Sequence, residues 1–158
     1  MGTAGLQFEN VDGHSVAFRS AGQGPPLVLL HGFLSDSRCW RPQLAGLSAD
    51  FSVVAWDAPG AGASSDPSET CTTADYARCL AGLLDALHIE RFHLVGLSWG
   101  GILAQEVYRL YPERLRCLVL ADTYAGWKGS LPEAEWKERL AICLNDADAP
   151  PDTVVDRL

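Results

Sequence analysis

A serine set among glycines at fixed spacing is the residue of this sequence best suited to covalent chemistry. The segment Gly96-Leu97-Ser98-Trp99-Gly100-Gly101 follows an apolar run that predicts a strand and begins a pattern that predicts a helix. A serine on such a sharp turn has a strained backbone and an exposed hydroxyl, as a nucleophile requires. The residues two positions before and after it approach each other, so Gly96 and Gly100 remove side chains that would clash. A Gly-Ser loop without chemistry is the alternative, and the flanking strand and helix argue against it.

Ser98 would attack a carbonyl carbon, and the charge that develops on the carbonyl oxygen needs hydrogen-bond donors. The backbone N–H of Trp99 lies at the start of the predicted helix, where the helix dipole favours negative charge. The indole of Trp99 either lines a pocket for the acyl or leaving group or simply packs beneath a covering segment. The sequence leaves these two interpretations open.

A serine hydroxyl is a weak nucleophile until a neighbouring base, usually histidine, accepts its proton. His14 lies in a predicted hairpin far along the chain from Ser98, and His88 ends a predicted helix, where it would cap carbonyls. His93 precedes the serine on the same strand, which at about 3.3 Å per residue places it near the opposite edge of the sheet. His31 alone is expected at the correct edge, and geometry makes it a poor base. The sequence therefore predicts no histidine placed to activate Ser98.

Strands and helices alternate along most of the chain, which predicts crossover units and a mostly parallel sheet. Asp12-Gly13 predicts a tight turn between two antiparallel strands near the N-terminus. The predicted strands are Leu6–Asn10, Ser15–Ser20, Leu27–Leu30, Phe51–Trp56, Phe92–Leu97 and Leu115–Ala121. The predicted helices are Ser37–Leu47, Thr73–His88, Trp99–Tyr111, Pro132–Leu144 and Asp152–Leu158, the last after a break at Ala149-Pro150-Pro151. The predicted fold class is α/β.

The composition indicates a folded domain and limits its partners. Of the 158 residues, 47% are hydrophobic, which is enough for the core of one domain. A net charge of −8 argues against nucleic acid or an anionic membrane as partner, since both attract basic surfaces. No apolar run is long enough to span a bilayer, and the N-terminus lacks the pattern of a signal peptide. The five cysteines are scattered without a CxxC pair, so we expect reduced thiols in a cytoplasmic protein with no metal site and no cofactor.

Two further motifs accompany the serine motif. His31-Gly32-Phe33 ends the first buried strand, and a second motif follows the next strand, Asp57-Ala58-Pro59-Gly60-Ala61-Gly62-Ala63-Ser64. With all three motifs, the chain resembles the α/β-hydrolase superfamily from about Leu6 to Asp122. Within it, the chain is similar to the esterase and lactonase branch, which includes 3-oxoadipate enol-lactonase-like proteins. The resemblance implies an incomplete α/β-hydrolase fold in which residues 1–124 form the N-terminal part of the core and residues 125–158 begin a helical cap.

The resemblance also implies roles for the motif residues. The backbone N–H groups of Phe33 and Trp99 would form an oxyanion hole, with a core aromatic after a turn as the alternative interpretation of Phe33. His31 and Gly32 would belong to the loop that carries this hole, which His31 would support through hydrogen bonds. Asp57 would shape its own loop by accepting hydrogen bonds from backbone N–H groups.

The catalytic acid and base are expected outside this sequence. In the resembled family the base histidine follows the last strand, and most members place the acid after the strand that follows the cap. Asp122 is a secondary candidate for the acid, with capping of the turn into the cap as the alternative. We therefore expect roughly 100 residues, two βα units and the rest of the cap, to be absent.

These observations predict a truncated serine hydrolase of a small-molecule ester, lactone or thioester that is nearly inactive as this chain. One alternative is a non-catalytic binding or assembly product of the same fold. Another is a cofactor-free perhydrolase or haloperoxidase in the full-length form. In the family's strand order Leu118-Val119-Leu120 would be an exposed sheet edge, so we also expect poor solubility or self-association through this strand.

Overall fold

The computed structural model describes residues 5–128 and 130–147 of the chain. Six strands form one sheet, and four α-helices and two 3-10 turns connect or follow them. The strands are β1 (Leu6–Val11), β2 (His14–Ala21), β3 (Pro26–Leu30), β4 (Ser52–Trp56), β5 (Phe92–Leu97) and β6 (Leu115–Ala121). The helices are α1 (Arg41–Leu47), α2 (Thr73–Ala86), α3 (Trp99–Leu110) and α4 (Glu133–Ala147), and the 3-10 turns cover Ser37–Trp40 and Pro112–Arg114.

The sheet is parallel except at one side. Its strand order is β1-β2-β4-β3-β5-β6, and the first two pairs are antiparallel while the other three are parallel. The mostly parallel sheet with an antiparallel hairpin is therefore confirmed. Since β3 and β5 are neighbouring parallel strands, the segments that follow them, which carry His31 and Ser98, leave from the same edge of the sheet.

The central strands are apolar along their length because both faces are covered. Val28 and Leu30 of β3 pack in one core cluster with Leu83 and Leu103 of the helices α2 and α3. Leu27 and Leu29 point to the other face, where they pack in a second cluster that includes Trp40 and Leu44. Burial of each such side chain contributes about 2 kcal/mol, so both layers hold β3 firmly in the centre.

One predicted helix differs from the structure, and one predicted sheet edge agrees with it. The predicted helix Ser37–Leu47 is a 3-10 turn followed by α1, because Pro42 has no N–H to donate to the carbonyl of Arg38. The exposed sheet edge predicted at Leu118-Val119-Leu120 agrees with the structure, in which Val119 is 47% exposed and Leu120 is 44% exposed. The strand order explains this exposure, since β6 is the outermost strand of the sheet.

The described residues divide into two compact units, of which the first ends at Thr123 and the second begins at Tyr124. The second unit contains α4, close to the predicted helix Pro132–Leu144, and a stacked pair of rings from Tyr124 and Trp127. The assignment of residues 1–124 to a core and 125–158 to a cap stays a prediction. The predicted helix Asp152–Leu158 lies outside the described residues. Within the described ranges, no helix is long and apolar enough to cross a membrane.

Candidate active site

Ser98 lies on the sharp turn between β5 and α3. Its backbone has φ 51° and ψ −116°, a left-handed conformation that costs a residue with a side chain roughly 1–3 kcal/mol. Two hydrogen bonds hold this turn, one from the Ser98 N–H to the Ala121 carbonyl and one from the Gly101 N–H to the Ser98 carbonyl, both 2.9 Å long. The neighbouring strand therefore fixes the strained backbone that the glycine spacing predicts.

The glycines around Ser98 are required by close backbone contacts. A Cβ atom on Gly96 would clash with the backbone of Gly100 and Gly101, which is the mutual approach that the motif predicts. A Cβ atom on Gly100 would instead clash with the carbonyl oxygens of Leu30 and His31. Gly100 therefore allows the start of α3 to approach the end of β3, a contact between elements that the motif alone did not indicate.

Thr123 supports the turn and was missed by the sequence reasoning. Its Oγ1 donates a 2.6 Å hydrogen bond to the Ser98 carbonyl, and its side chain fills the space that a Cβ on Gly101 would need. The register pairs Leu97 with Ala121, so the residues after β5 and β6 meet at the same edge. The sequence signal that could have identified Thr123 is a hydroxyl side chain two residues after the end of β6.

Asp122, the secondary acid candidate, lies between Ala121 and Thr123 at this edge. Its backbone is left-handed, with φ 45°, and the chain bends immediately after β6. Just after this bend, Thr123 makes its hydrogen bond to the turn at Ser98. The proposed roles of Asp122, as acid or as a cap, stay predictions.

The loop after β3 lies beside Ser98. A Cβ atom built on Gly32 would be 3.6 Å from the Cβ of Ser98, an ordinary van der Waals contact. The side chain of Phe33 is 48% exposed, so the alternative interpretation of Phe33 as a core aromatic residue is wrong. The structure therefore brings Gly32, Phe33, Ser98 and Trp99 to one edge of the sheet. The assignment of Phe33 and Trp99 to an oxyanion hole stays a prediction.

His31 is buried between two loops and uses both ring nitrogens. Its Nε2 accepts a 3.0 Å hydrogen bond from the Ala58 N–H, and its Nδ1 lies 2.8 Å from the Gly32 carbonyl oxygen. Because the backbone N–H can only donate, Nε2 carries no proton and Nδ1–H is the donor to Gly32. Burial lowers the pKa of His31 below its usual value, against the opposing effects of this hydrogen bond and of Asp57 and Asp36. A neutral ring with both nitrogens engaged is not available as a base.

Asp57 organises the loop after β4. Its side chain is buried, and its Oδ1 accepts a 2.8 Å hydrogen bond from the Ser37 N–H while Oδ2 accepts a 2.9 Å bond from the Ala63 N–H. A Cβ atom on Gly62, whose φ is +56°, would clash with the same carboxylate. Asp57 therefore links its own loop to the segment after Gly32 and Phe33.

Trp99 both packs against other rings and lines a cavity. Its ring centroid lies 5.2 Å from that of Tyr76 in an edge-to-face arrangement and 6.2 Å from that of His31. The cavity has a volume of about 430 Å³ and is formed by the loops after β3 and β4 together with Tyr76 and Trp99. The Trp99 ring thus packs against Tyr76 and also forms part of a cavity wall, and its role in an acyl or leaving-group pocket stays a prediction.

The other histidines lie away from Ser98 along their elements. His14 is the first residue of β2 and pairs with Val11 in the hairpin. His88 follows α2 with φ 57° and ends this helix through its backbone rather than its side chain. His93 lies five residues before Ser98 on β5, about 16 Å away along an extended strand, and its ring contacts Phe51. Within the described ranges, no cluster of three or more His, Cys, Asp or Glu side chains could hold a metal.

Comparisons with known proteins agree with this geometry. Residues 25–141 match the family model described as alpha/beta hydrolase fold. A poly(3-hydroxyalkanoate) depolymerase of Ectopseudomonas oleovorans is 39% identical over 101 residues, which are 64% of this chain and 36% of that protein. The "uncharacterized carboxylesterase nap" of Bacillus subtilis (strain 168) is 40% identical over 104 residues, which are 63% of this chain and 35% of that protein.

Solved structures give the same result. The crystal structure of a hydrolase from Pseudomonas aeruginosa superposes with a TM-score of 0.77 at 38% identity, and the match covers 89% of this chain and 53% of that one. The chain thus spans about a third of the length of the curated relatives above, 36% and 35%. The match of the family model to most of the chain, together with the parallel sheet and the strained serine turn, shows that this chain belongs to the α/β hydrolase fold family.

Proposed function

We propose that Ser98 is the nucleophile of a hydrolase that acts on carboxylic esters, lactones or thioesters by acyl transfer. The strained backbone of Ser98, held beside Gly32, is the observation that carries this proposal. Strain on a serine between a strand and a helix is typical of a turn that presents the hydroxyl to a ligand. The name of the relative from Bacillus subtilis, a carboxylesterase, agrees with an ester substrate.

The reaction has two half-reactions. Ser98 Oγ attacks the carbonyl carbon and loses its proton to a base, and the negative charge moves to the carbonyl oxygen. The backbone N–H groups of Phe33 and Trp99 stabilise this oxyanion, and loss of one such donor costs about 3 kcal/mol in the barrier. The bond to the leaving oxygen or sulfur breaks as that atom takes the proton from the base, and in a lactone it stays attached to the acyl group. Water then hydrolyses the acyl ester on Ser98, which yields the acid and restores the serine hydroxyl.

The base is proposed to come from outside the 158 residues, since the four histidines of this chain are engaged elsewhere or lie away from Ser98. Asp122 is retained as a secondary candidate for the acid that would orient it. We therefore propose that this chain by itself turns over esters slowly, even though it holds the nucleophile and the proposed donors.

A chemical rescue experiment tests this proposal. A fluorophosphonate probe is incubated with the purified chain with and without added imidazole, and the labelled residue is identified by mass spectrometry. Imidazole can supply the missing base, so we expect labelling at Ser98 that is slow without imidazole and faster by about tenfold or more with it. Ser98→Ala should abolish this labelling. A chain that stays unlabelled at Ser98 in imidazole would contradict the nucleophile, and rapid labelling without imidazole would contradict the missing base.

A further inference from the structure

The cavity beside Trp99 has the size and position of a ligand subsite. Its volume, about 430 Å³, is within the range of small-molecule pockets, about 300–1,000 Å³. Gly32 and Trp99 line this cavity, and both also flank Ser98, the first through space and the second along the chain. A group held in the cavity can therefore be joined through a few bonds to a carbonyl carbon at Ser98.

The wall of the cavity is mostly apolar. Side chains of Phe33, Leu34, Pro67, Tyr76 and Trp99 lie among the lining residues, next to the backbone of the loop after β4. Such a surface favours an apolar ligand, since burial of apolar area contributes about 25 cal/mol per Å².

The charges around the cavity disfavour an anion. Asp36 is the one carboxylate among the lining residues, and His31, the one histidine among them, is neutral. Burial raises the pKa of Asp36, but hydrogen bonds from Arg38 outweigh burial and leave this pKa below its usual value, so the carboxylate is ionised at neutral pH. The Arg38 guanidinium binds Asp36 through contacts of 2.6 and 2.9 Å and is not among the lining residues. Because no Lys or Arg is among the lining residues and His31 is neutral, a carboxylate in the cavity would lose its hydration without gaining a cationic partner.

Tyr76 lines the cavity and contacts the Trp99 ring. It is half-buried near the start of α2, and its ring meets the Trp99 ring edge to face at 5.2 Å. The capping box of Thr72 and Asp75 fixes the first turn of the same helix. The backbone of Tyr76 is therefore fixed by α2, and its ring is fixed by contact with Trp99. A side chain that selects between ligands needs such a fixed position.

We propose that this cavity binds the uncharged, mainly apolar part of the substrate, and that Tyr76 selects for it. The proposal rests on the proposed function, because it makes the cavity a subsite of the reaction at Ser98. The substrates are then esters, lactones or thioesters that place a neutral aromatic or alkyl group in the cavity. Substrates that would place a carboxylate there are excluded.

Binding of a matched pair of small molecules tests the proposal without requiring turnover. Benzamide and benzoate share the ring and differ in charge, and each is titrated into the ¹⁵N-labelled chain while the Trp99 indole N–H resonance, assigned with Trp99→Phe, is followed by NMR. We expect benzamide to shift this resonance and benzoate to bind at least about tenfold more weakly. Tyr76→Ala should weaken benzamide binding about fivefold, and Tyr76→Phe should restore it, because the ring supplies the contact. Tyr108→Ala is the control, since Tyr108 is 56% exposed on α3 and is not among the lining residues.

The outcomes separate this proposal from the proposed function. Equal binding of benzoate and benzamide, or benzamide binding that is unchanged in Tyr76→Ala, overturns the subsite even where Ser98 is labelled. If Tyr76→Ala does not fold, Tyr76→Leu replaces it as the variant without the aromatic ring. The comparison of benzamide with benzoate in the unsubstituted chain then still tests the charge preference of the cavity. Selective benzamide binding together with labelling of Ser98 supports both proposals. Selective binding without labelling of Ser98 overturns the hydrolase and with it the role of the cavity as a substrate subsite.

Discussion

His31 shows at the scale of the residue how burial decides a role that the residue type leaves open. A histidine at the edge that carries a serine nucleophile is a natural candidate for the base. Its ring is instead fixed between the Gly32 carbonyl and the Ala58 N–H, so it connects the loops after β3 and β4. Only the neutral form of the His31 ring can make both hydrogen bonds. The stability of this edge of the sheet therefore depends on pH.

Stability should therefore fall in mild acid through His31. The pKa of His31 is below its usual value of 6.5 in the folded chain, so the unfolded chain binds the proton first as the pH falls. The stabilisation is present above pH 6.5 and is lost as the pH falls through the folded pKa. We expect the free energy of unfolding, from urea titrations at pH 7 and pH 5, to decrease more in the unsubstituted chain than in His31→Gln, which cannot titrate. Equal decreases in both chains would contradict this role.

Thr123 is the second residue whose role depends on a single hydroxyl. Thr123→Val keeps the shape but removes the 2.6 Å hydrogen bond to the Ser98 carbonyl, so we expect a loss of about 1–2 kcal/mol in stability. The imidazole-assisted labelling of Ser98 should also become slower, because the strained turn loses a support. Thr123→Ser keeps the hydroxyl and should restore the labelling rate. If the serine and valine variants label equally fast, Thr123 only fills space against Gly101.

At the scale of elements, the start of α2 is fixed by a reciprocal cap. Thr72 Oγ1 accepts a 3.3 Å hydrogen bond from the Asp75 N–H, while the Asp75 carboxylate accepts a 2.8 Å bond from the Thr72 N–H. Arg78 adds a 2.6 Å contact to the same carboxylate. This helix carries Tyr76, so its first turn also places one wall of the cavity.

Removal of the cap should destabilise the first turn of α2. Thr72→Ala is expected to lower the free energy of unfolding by about 1 kcal/mol, because the orphan N–H groups of the helix lose their partner. The hydrogen bonds from Thr72, with those from Arg78, lower the pKa of Asp75 to about 2. Their contribution is therefore present above pH 4 and is lost as the pH falls to 2. NMR titration should show a higher pKa for Asp75 in Thr72→Ala, and an unchanged value would contradict the cap.

At the scale of the whole molecule, strand order decides which apolar residues face water. The central strands β3 and β4 are buried on both faces, whereas β6 is the outermost strand and exposes Val119 and Leu120 on opposite faces. No strand among the described residues pairs with its outer side, where Leu115–Ala121 has backbone donors and acceptors. An edge of this kind is a template for pairing with another strand.

We expect the chain to associate with a second copy of itself through β6. Sedimentation velocity over a range of concentrations should show dimers or larger species that dissociate on dilution. Val119→Lys places a charge on the edge strand and should shift the chain to monomer, because pairing would bury the charge. Tyr108→Lys, at an exposed position of α3, is the matched control and should not change the association. A chain that is monomeric at all concentrations would contradict the expectation.

Much of the fold and of the candidate site could be predicted from short stretches of the sequence. Asp12-Gly13 predicted the hairpin, the apolar runs predicted the strands within a residue or two, and the glycine spacing predicted the strained turn at Ser98. It missed the break of the helix at Pro42, although the missing N–H of proline is itself a local signal. Local patterns suffice for these features because strand burial, tight turns and steric clashes between near neighbours depend on a few consecutive residues.

The sequence by itself determined that a serine is presented between a strand and a helix, beside the loop of His31, Gly32 and Phe33. The tertiary structure alone decided that His31 is a neutral connector, that Thr123 holds the Ser98 carbonyl, that Phe33 is exposed and that Tyr76 meets Trp99 across a cavity. The physical reason is that these contacts join residues far apart in the chain. Thr123 and Ser98 are 25 residues apart, and Ala58 and His31 are 27 residues apart. Their meeting is set by strand order and helix packing, which no short stretch of sequence contains.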